Sequence, residues 1–207
     1  MDALTIAAAS GLKARMESLD MLANNLANTA TAGFKGDREF FGLYVSAGAA
    51  GTPAGGPAVL PVIERSWTDF AQGMIYATGN PLDLAISGRG LFSVDSPAGR
   101  LYTRNGSFRL SLAGVLTTQE GYPVRMEGGG TLQVAGSGSI EVSEDGTVRQ
   151  NGATLGRIEV VEFPDVSVLS KRAAGYFTAP PGAQPRPATE FELHQGKLEG
   201  SNVSSAE

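Results

Sequence analysis

Apolar residues recur at Leu4, Ala8, Leu12, Met16, Leu19, Leu22 and Leu26, at spacings of 4, 4, 4, 3, 3 and 4. That is the period of one face of an α-helix. Leu12, Leu19 and Leu26 stand seven apart, as one heptad position would. Lys13, Arg15, Glu17 and Asp20 fall off the stripe. The stripe is narrow and rich in alanine, so it suits a helical partner better than a deep core. Asn28 and Thr29 have poor helix propensity, and Gly33 can take the left-handed conformation that closes a helix.

Beyond this helix the period changes. Leu82, Leu84 and Ile86 alternate with Asp83 and Ala85, which predicts a half-buried strand entered after Pro81. Gly88 and Gly90 bracket a turn, and Leu91-Phe-Ser-Val94 opens the next strand. Asn105-Gly106 and Asp145-Gly146 each lie between strand-like runs and suit tight hairpins. Glycines at 128–130, 136 and 138 punctuate a short strand around Leu132 and Val134. Residues 155–163 read as a final strand, and Pro180, Pro181, Pro185 and Pro187 follow as an extended segment. Residues 191–198 are expected to return and pair near Trp67. Trp67, Phe70 and Met74 are expected as a short anchor on the β-domain, and Phe40, Phe41, Leu43 and Tyr44 as a local core. Residues 46–57, low in complexity, read as a linker. Val59 to Ile63 contains Pro61, which restricts any strand there to an edge.

The pattern predicts a mainly β fold: a short-stranded β-domain with an N-terminal amphipathic helix and long extended linkers. Four segments follow: 1–35 helical, 36–77 linker and extended arm, 78–179 outer β-domain, and 180–207 return segment. High glycine, 28 of 207 residues, agrees with many turns. Net charge is −5 with no basic patch, so the footprint of a nucleic-acid binder is missing. There is no cysteine, which excludes disulfides and thiolate chemistry. No basic n-region precedes an apolar core, and no apolar run approaches the roughly 20 residues of a membrane span. On these grounds alone the chain reads as cytosolic.

Candidate chemistry is thin. The single histidine, His194, has no cysteine or second histidine beside it. Gly88-Arg-Gly90 lacks the third glycine of a dinucleotide loop. Glu141, Glu144 and Asp145 resemble a carboxylate pair only until Asp145 is given its turn role beside Gly146. Asp83 and Arg104 are candidates for a cross-strand ion pair. Asn24 and Asn28 share a helix face, with Asn25 about 100° round the axis. They either fix the register of an interaction helix or fray its end into a turn.

Leu22-Ala-Asn-Asn-Leu-Ala-Asn28, running into Thr31-Ala-Gly-Phe-Lys35, resembles the N-terminal motif of flagellar rod and hook axial proteins. Thr78-Gly-Asn-Pro-Leu-Asp-Leu-Ala-Ile86 with Gly88 and Gly90 is similar to the motif opening the β-domain of basal-body rod proteins. Tyr102-Thr-Arg-Asn-Gly-Ser-Phe108, Gly121-Tyr-Pro-Val124 and Leu198-Glu-Gly-Ser-Asn-Val203 follow in the family's order. Leu91 stands where the family commonly has phenylalanine. The compact length and the opening Met1-Asp-Ala-Leu4 resemble the proximal-rod type.

The resemblance implies a structural subunit of the bacterial flagellar rod, not an enzyme, with no cofactor, metal or small-molecule substrate. It implies self-assembly with other rod subunits around the axial export channel, through coiled terminal helices. It implies passage through the flagellar type III export apparatus without a cleaved signal, to the periplasmic rod of the basal body. Leu12, Met16, Leu19, Leu22, Asn24, Asn25, Leu26 and Asn28 would form the assembly interface. Gly33, Phe34 and Lys35 would lead from helix to outer layer. Asn80, Pro81, Asp83, Gly88 and Gly90 would shape the first β-hairpin, and Asn105 and Gly106 the next turn. The family continues past residue 203 into a C-terminal helix, which this sequence lacks, so residues 1–30 are expected to fray or to bury against another copy. The alternative is a cell-envelope glycan-binding or glycoside-cleaving β-module, which needs a concave site with converging polar groups.

Overall fold

In a computed structural model, the structure describes residues 3–45, 59–136 and 138–204, and side chains there except at 3–8, 41–65 and 174. The helix α1 (Ala3–Ala27) is followed by β1 (Asp37–Val45) and β2 (Val59–Thr68). Then come β3 (Ile75–Ala77), β4 (Leu84–Gly88), β5 (Leu91–Ser96), β6 (Gly99–Thr103), β7 (Arg109–Leu110) and β8 (Leu116–Thr117). β9 (Ile140–Val142), β10 (Thr147–Gln150), β11 (Ala153–Arg157) and β12 (Val160–Glu162) continue the domain. The chain closes with β13 (Ser170–Arg172), β14 (Tyr176–Thr178), β15 (Arg186–Pro187), β16 (Phe191–Gln195) and β17 (Lys197–Glu199). The fold is mainly β, as the pattern predicts.

The centre is a six-stranded sheet in the order β13-β14-β6-β5-β12-β15. Its strands split their side chains between two apolar clusters, following the two-residue period. Phe92, Val94, Val160 and Tyr176 enter one cluster, with Leu84, Ile86, Phe108, Ile158 and Leu193. Leu91, Tyr102, Val161 and Phe177 enter the other, with Phe163 and Leu169. That is why residues 91–94 are buried without a break: the strand has a core on each face. Leu91 in place of phenylalanine is buried like its neighbours.

Several expected pairings differ. Leu84, Ala85 and Ile86 are all buried, so β4 is not half-exposed. It pairs with β16 (Leu193 opposite Ile86), while β17 pairs with β3 (Leu198 opposite Tyr76). The return segment therefore meets residues 75–88 and not Trp67, which pairs with Arg38 instead. Asn105-Gly106 closes no hairpin, because β6 pairs with β5 and β14, and β7 pairs with β8. A Cβ on Gly106 would sit 1.7 Å from the Leu84 carbonyl oxygen, so this glycine is demanded by close packing of two chain segments. Gly88 and Gly90 likewise link β4 to β5 without pairing them. Residues 155–163 form two strands in different sheets, and five more strands follow. Leu132 and Val134 are buried, but no strand forms there: their neighbours Thr131 and Gln133 make isolated bridges, to Arg125 and Val115. The hairpin at Asp145-Gly146 is as expected: β9 pairs with β10 and Gly146 has φ +87°.

The arm is built of paired strands. β1 and β2 form a long antiparallel hairpin with a bulge at Phe40/Phe41. Pro61 lies in β2, which has one neighbour. Phe40 is mostly exposed, not local core; the side chains of Phe41, Leu43 and Tyr44 and the whole linker 46–57 lie outside the described residues. Of the expected anchor, Phe70 stacks on Phe177 at 4.8 Å, Trp67 is partly exposed and Met74 is bare to solvent.

Candidate functional site

Helix α1 ends at Ala27, and the chain then turns before reaching Gly33, the Asn28 N–H donating to the Asn25 carbonyl and the Thr31 N–H to the Asn28 carbonyl. Gly33 does not cap the helix. Its φ is +66°, and an added Cβ would meet the Asn105 nitrogen at 2.3 Å. Its N–H donates to the Glu199 carbonyl at 2.7 Å. The segment leaving the helix is thus threaded between the β6 exit and the last strand.

Lys35 and Glu199 are completely buried, and Arg104 nearly so. Lys35 Nζ lies 2.5 Å from Glu199 Oε1 and donates to the Ala71 carbonyl at 2.7 Å. The same oxygen accepts from the Gly73 N–H at 2.9 Å. Arg104 donates to Glu199 Oε2 at 3.1 Å, to the Ile86 carbonyl at 3.1 Å and to the Gly88 carbonyl at 2.6 Å. One carboxylate therefore ties together the helix exit, the arm and the edge of the β-domain. Burial holds Lys35 below the ordinary lysine value; Glu199 opposes this only in part, because its charge is shared with Arg104. Burial lowers Arg104 in the same way. The expected Asp83–Arg104 pair does not form: Asp83 accepts from Asn80 Nδ2 at 2.9 Å within its own turn.

Around this triad lies a ring of amides. Asn202 Oδ1 accepts from the Gly36 N–H at 2.7 Å, and its Nδ2 donates to the Asp69 carbonyl at 2.7 Å. Asn25 exchanges two bonds with the Asp37 backbone, at 2.8 and 3.1 Å. Lys171 donates to the Lys35 carbonyl at 2.6 Å and to Asp37 Oδ2 at 2.8 Å, and lies over the Phe34 ring at 3.9 Å. Motif blocks 164 residues apart in sequence thus form one junction. Lys35, Arg104 and Glu199 each sat inside a motif block; nothing in the spacing said that they meet.

The helix has two working faces. Ala14 and Ser18 are buried, Ser18 donating to the Glu39 carboxylate, and Asn25 is anchored on the same side. The Leu12, Met16, Leu19, Leu22 and Leu26 stripe lies roughly a third of a turn away by helix geometry. These five side chains are 56–64% exposed. The helix is continuous, not frayed, and it keeps that stripe free while the other face grips the hairpin. Asn24 is exposed, and Asn28 bonds locally to the Asn24 carbonyl and Thr31. An open cleft of about 590 Å³ lies at the helix end, lined by Leu22, Leu26, Trp67, Asn202 and Val203 among others.

The remaining candidates are structural. Asp145 holds the Thr147 N–H and hydroxyl, which keeps its carboxyl below the usual range. His194 lies on β16, 4.0 Å from Glu192. Asn105 caps its own turn through the Ser107 N–H at 3.0 Å. No described helix is long and apolar enough to cross a membrane.

Residues 7–35 match the family model described as flagella basal body rod protein, and residues 85–150 match that of the flagellar hook protein FlgE/F/G D1 domain. Glu199 lies in neither segment. The flagellar basal-body rod protein FlgF of Caulobacter vibrioides is 36% identical over 187 residues, covering 89% of this chain and 76% of that protein. FlgG of Bacillus subtilis is 33% identical, covering 94% and 82%. FlgF of Mesorhizobium japonicum is 33% identical, covering 90% and 76%.

Proposed function

The chain belongs to the flagellar basal-body rod protein family, FlgF-like among its relatives, and from that premise we propose how its surfaces are used. It is a structural subunit of the basal-body rod. The exposed stripe from Leu12 to Leu26, with Asn24 and Asn28 at its end, packs against helices of neighbouring rod subunits around the axial channel. Asn25 works inside the chain, setting the angle between that helix and the hairpin. The buried triad makes helix, arm and β-domain one mechanical unit, so that load on the helices passes to the outer layer. Export through the flagellar apparatus without a cleaved signal, and residence in the periplasmic part of the rod, complete the proposal. None of the relatives named above is a glycan-binding or glycoside-cleaving protein, and that alternative is dropped. They are structural rod proteins, and no catalytic role is proposed.

The observation that carries the assembly mechanism is a continuous helix whose leucines are bare while its other face is engaged. Burying such side chains is worth about 1.5–3 kcal/mol each, so the stripe is a strong drive to association. The test is a Leu19→Asp, Leu26→Asp double variant expressed in place of the natural chain. The expected result is normal folding by circular dichroism with loss of the protein from isolated basal bodies. Incorporation at the level of the unmodified chain would refute the helical interface.

A further inference from the structure

Leu112 is a fully exposed leucine at the tip of the β7–β8 hairpin. Its turn is not loose. The Gly114 N–H donates to the Ser111 carbonyl at 2.9 Å, and the Val115 N–H to the Ser111 hydroxyl at 3.1 Å. The Val134 N–H donates to the Gly114 carbonyl at 2.8 Å, fastening the turn to the domain. Gly114 has φ +76°, and a Cβ there would lie 2.3 Å from the Val134 oxygen. Turn tips are ordinarily polar; here a rigid scaffold holds up an apolar knob. A preorganised knob loses little conformational freedom on docking.

Elsewhere the chain carries a groove of about 1120 Å³ between the hairpin arm and residues 165–171. Phe40, Trp67 and Val166 line it and are 61, 42 and 39% exposed. Tryptophan is one of the residue types enriched at the energetic centres of interfaces. Charge fits as well: Arg109 is exposed beside the knob, and Asp165 is exposed on the rim of the groove.

We propose that Leu112 and its turn dock into the groove between Phe40, Trp67 and Val166 of a second copy of this chain. This rests on the reading of the chain as a rod subunit. Knob and groove stand on different elements, so the contact is head-to-tail, and repetition builds a ring or an open helical array. It is separate from the leucine stripe of α1 and ties the outer layers of adjacent subunits.

The chain has no cysteine, so introduced cysteines are unique handles. A Leu112→Cys, Ser66→Cys double variant and the two single variants are expressed in place of the natural chain, and isolated basal bodies are treated with a short bismaleimide. A covalent ladder from the double variant, with none from either single variant, is the expected result. Leu112→Asp should melt as the unmodified chain does, and its incorporation should fall about tenfold, as loss of one buried leucine predicts. If the cysteine variants enter basal bodies normally and no ladder forms, the knob-and-groove contact is wrong while the rod reading stands. If the unmodified chain is itself missing from basal bodies, the rod reading fails and takes this contact with it.

Discussion

Glu199→Ala removes the carboxylate that hydrogen-bonds both buried cations, Lys35 and Arg104. In the folded chain that carboxylate accepts from Lys35, Gly73 and Arg104, at 2.5, 2.9 and 3.1 Å. Glu199 and Lys35 have no solvent contact, so water does not replace the lost bonds. Arg104 keeps the Ile86 and Gly88 carbonyls, and Lys35 keeps that of Ala71. Stripping one partner from a buried pair costs about 3–5 kcal/mol, and the retained carbonyls favour the middle of that range. About 4 kcal/mol is a large part of the 5–15 kcal/mol that typically holds a domain together. It corresponds to a melting point lowered by about 8–16 °C in a chain of this size. Urea unfolding followed by Trp67 fluorescence and circular dichroism measures it. The triad holds two cations and one anion, so the sign of the charge matters. Lys35→Met leaves a neutral Arg104–Glu199 pair in which Glu199 keeps the Gly73 N–H, so it should cost less than Glu199→Ala. The reasoning is refuted if Glu199→Ala lies within about 1 kcal/mol of the unmodified chain, or if Lys35→Met costs more than Glu199→Ala.

Lys35 is held below its ordinary value of 10.5, so between its folded value and 10.5 the unfolded chain binds the proton that the folded chain has released. Stability relative to Lys35→Met should therefore rise with pH as 10.5 is approached; Tyr102 and Tyr176, whose values are raised, oppose this above about 10 but cancel in the difference. A flat difference in urea midpoints across that window would exclude the effect. Asn25→Ala removes both bonds to Asp37 and should cost about 1–2 kcal/mol locally, read as faster trypsin cleavage at Lys13 and Arg15. Leu19→Asp, by contrast, should leave monomer stability within about 0.5 kcal/mol. Gly106→Ala should destabilise by about 3 kcal/mol, as overpacking does, because the Leu84 carbonyl must move; a left-handed hairpin turn alone would predict about 1–2 kcal/mol, and calorimetry separates the two.

The helix and its stripe were legible in the sequence because a 3.6-residue period needs no knowledge of the rest of the chain. The Asp145-Gly146 hairpin was legible for the same reason: its strands are neighbours in sequence. Asn105-Gly106 carried the same dipeptide signal and was misread. What fixes Gly106 is the backbone of β4, some twenty residues earlier, which local chemistry does not encode. Strand pairing failed for the return segment on similar grounds. β16 alternates apolar and polar residues and β17 is only three residues long, so either fits any open edge, and only the finished core selects β4 and β3. The triad was half legible. Each of its members stood in a motif block, but a lysine and a glutamate 164 residues apart announce no contact.

That a buried ion cluster holds this junction, where leucines would fill the space at less desolvation cost, has a physical reason. Apolar side chains attract each other in many arrangements; a carboxylate aimed at one lysine, one backbone N–H and one guanidinium is satisfied in one. At the exit of α1 a Cβ on Gly33 would lie 2.3 Å from the Asn105 nitrogen, so a small slip of register that put a side chain there blocks the path. Glu199 fixes that register from the far end of the chain, and Asn25 fixes it again at the hairpin. The position of the bare leucine stripe relative to the β-domain is then determined by bonds that no sliding contact satisfies. Variants at Glu199 and Asn25 should therefore alter the geometry of assembly before they abolish it. Partly stable Glu199→Gln subunits should enter basal bodies in reduced amount, whereas Leu19→Asp, Leu26→Asp subunits of full stability should be absent. Equal incorporation of the two would show that register is set elsewhere.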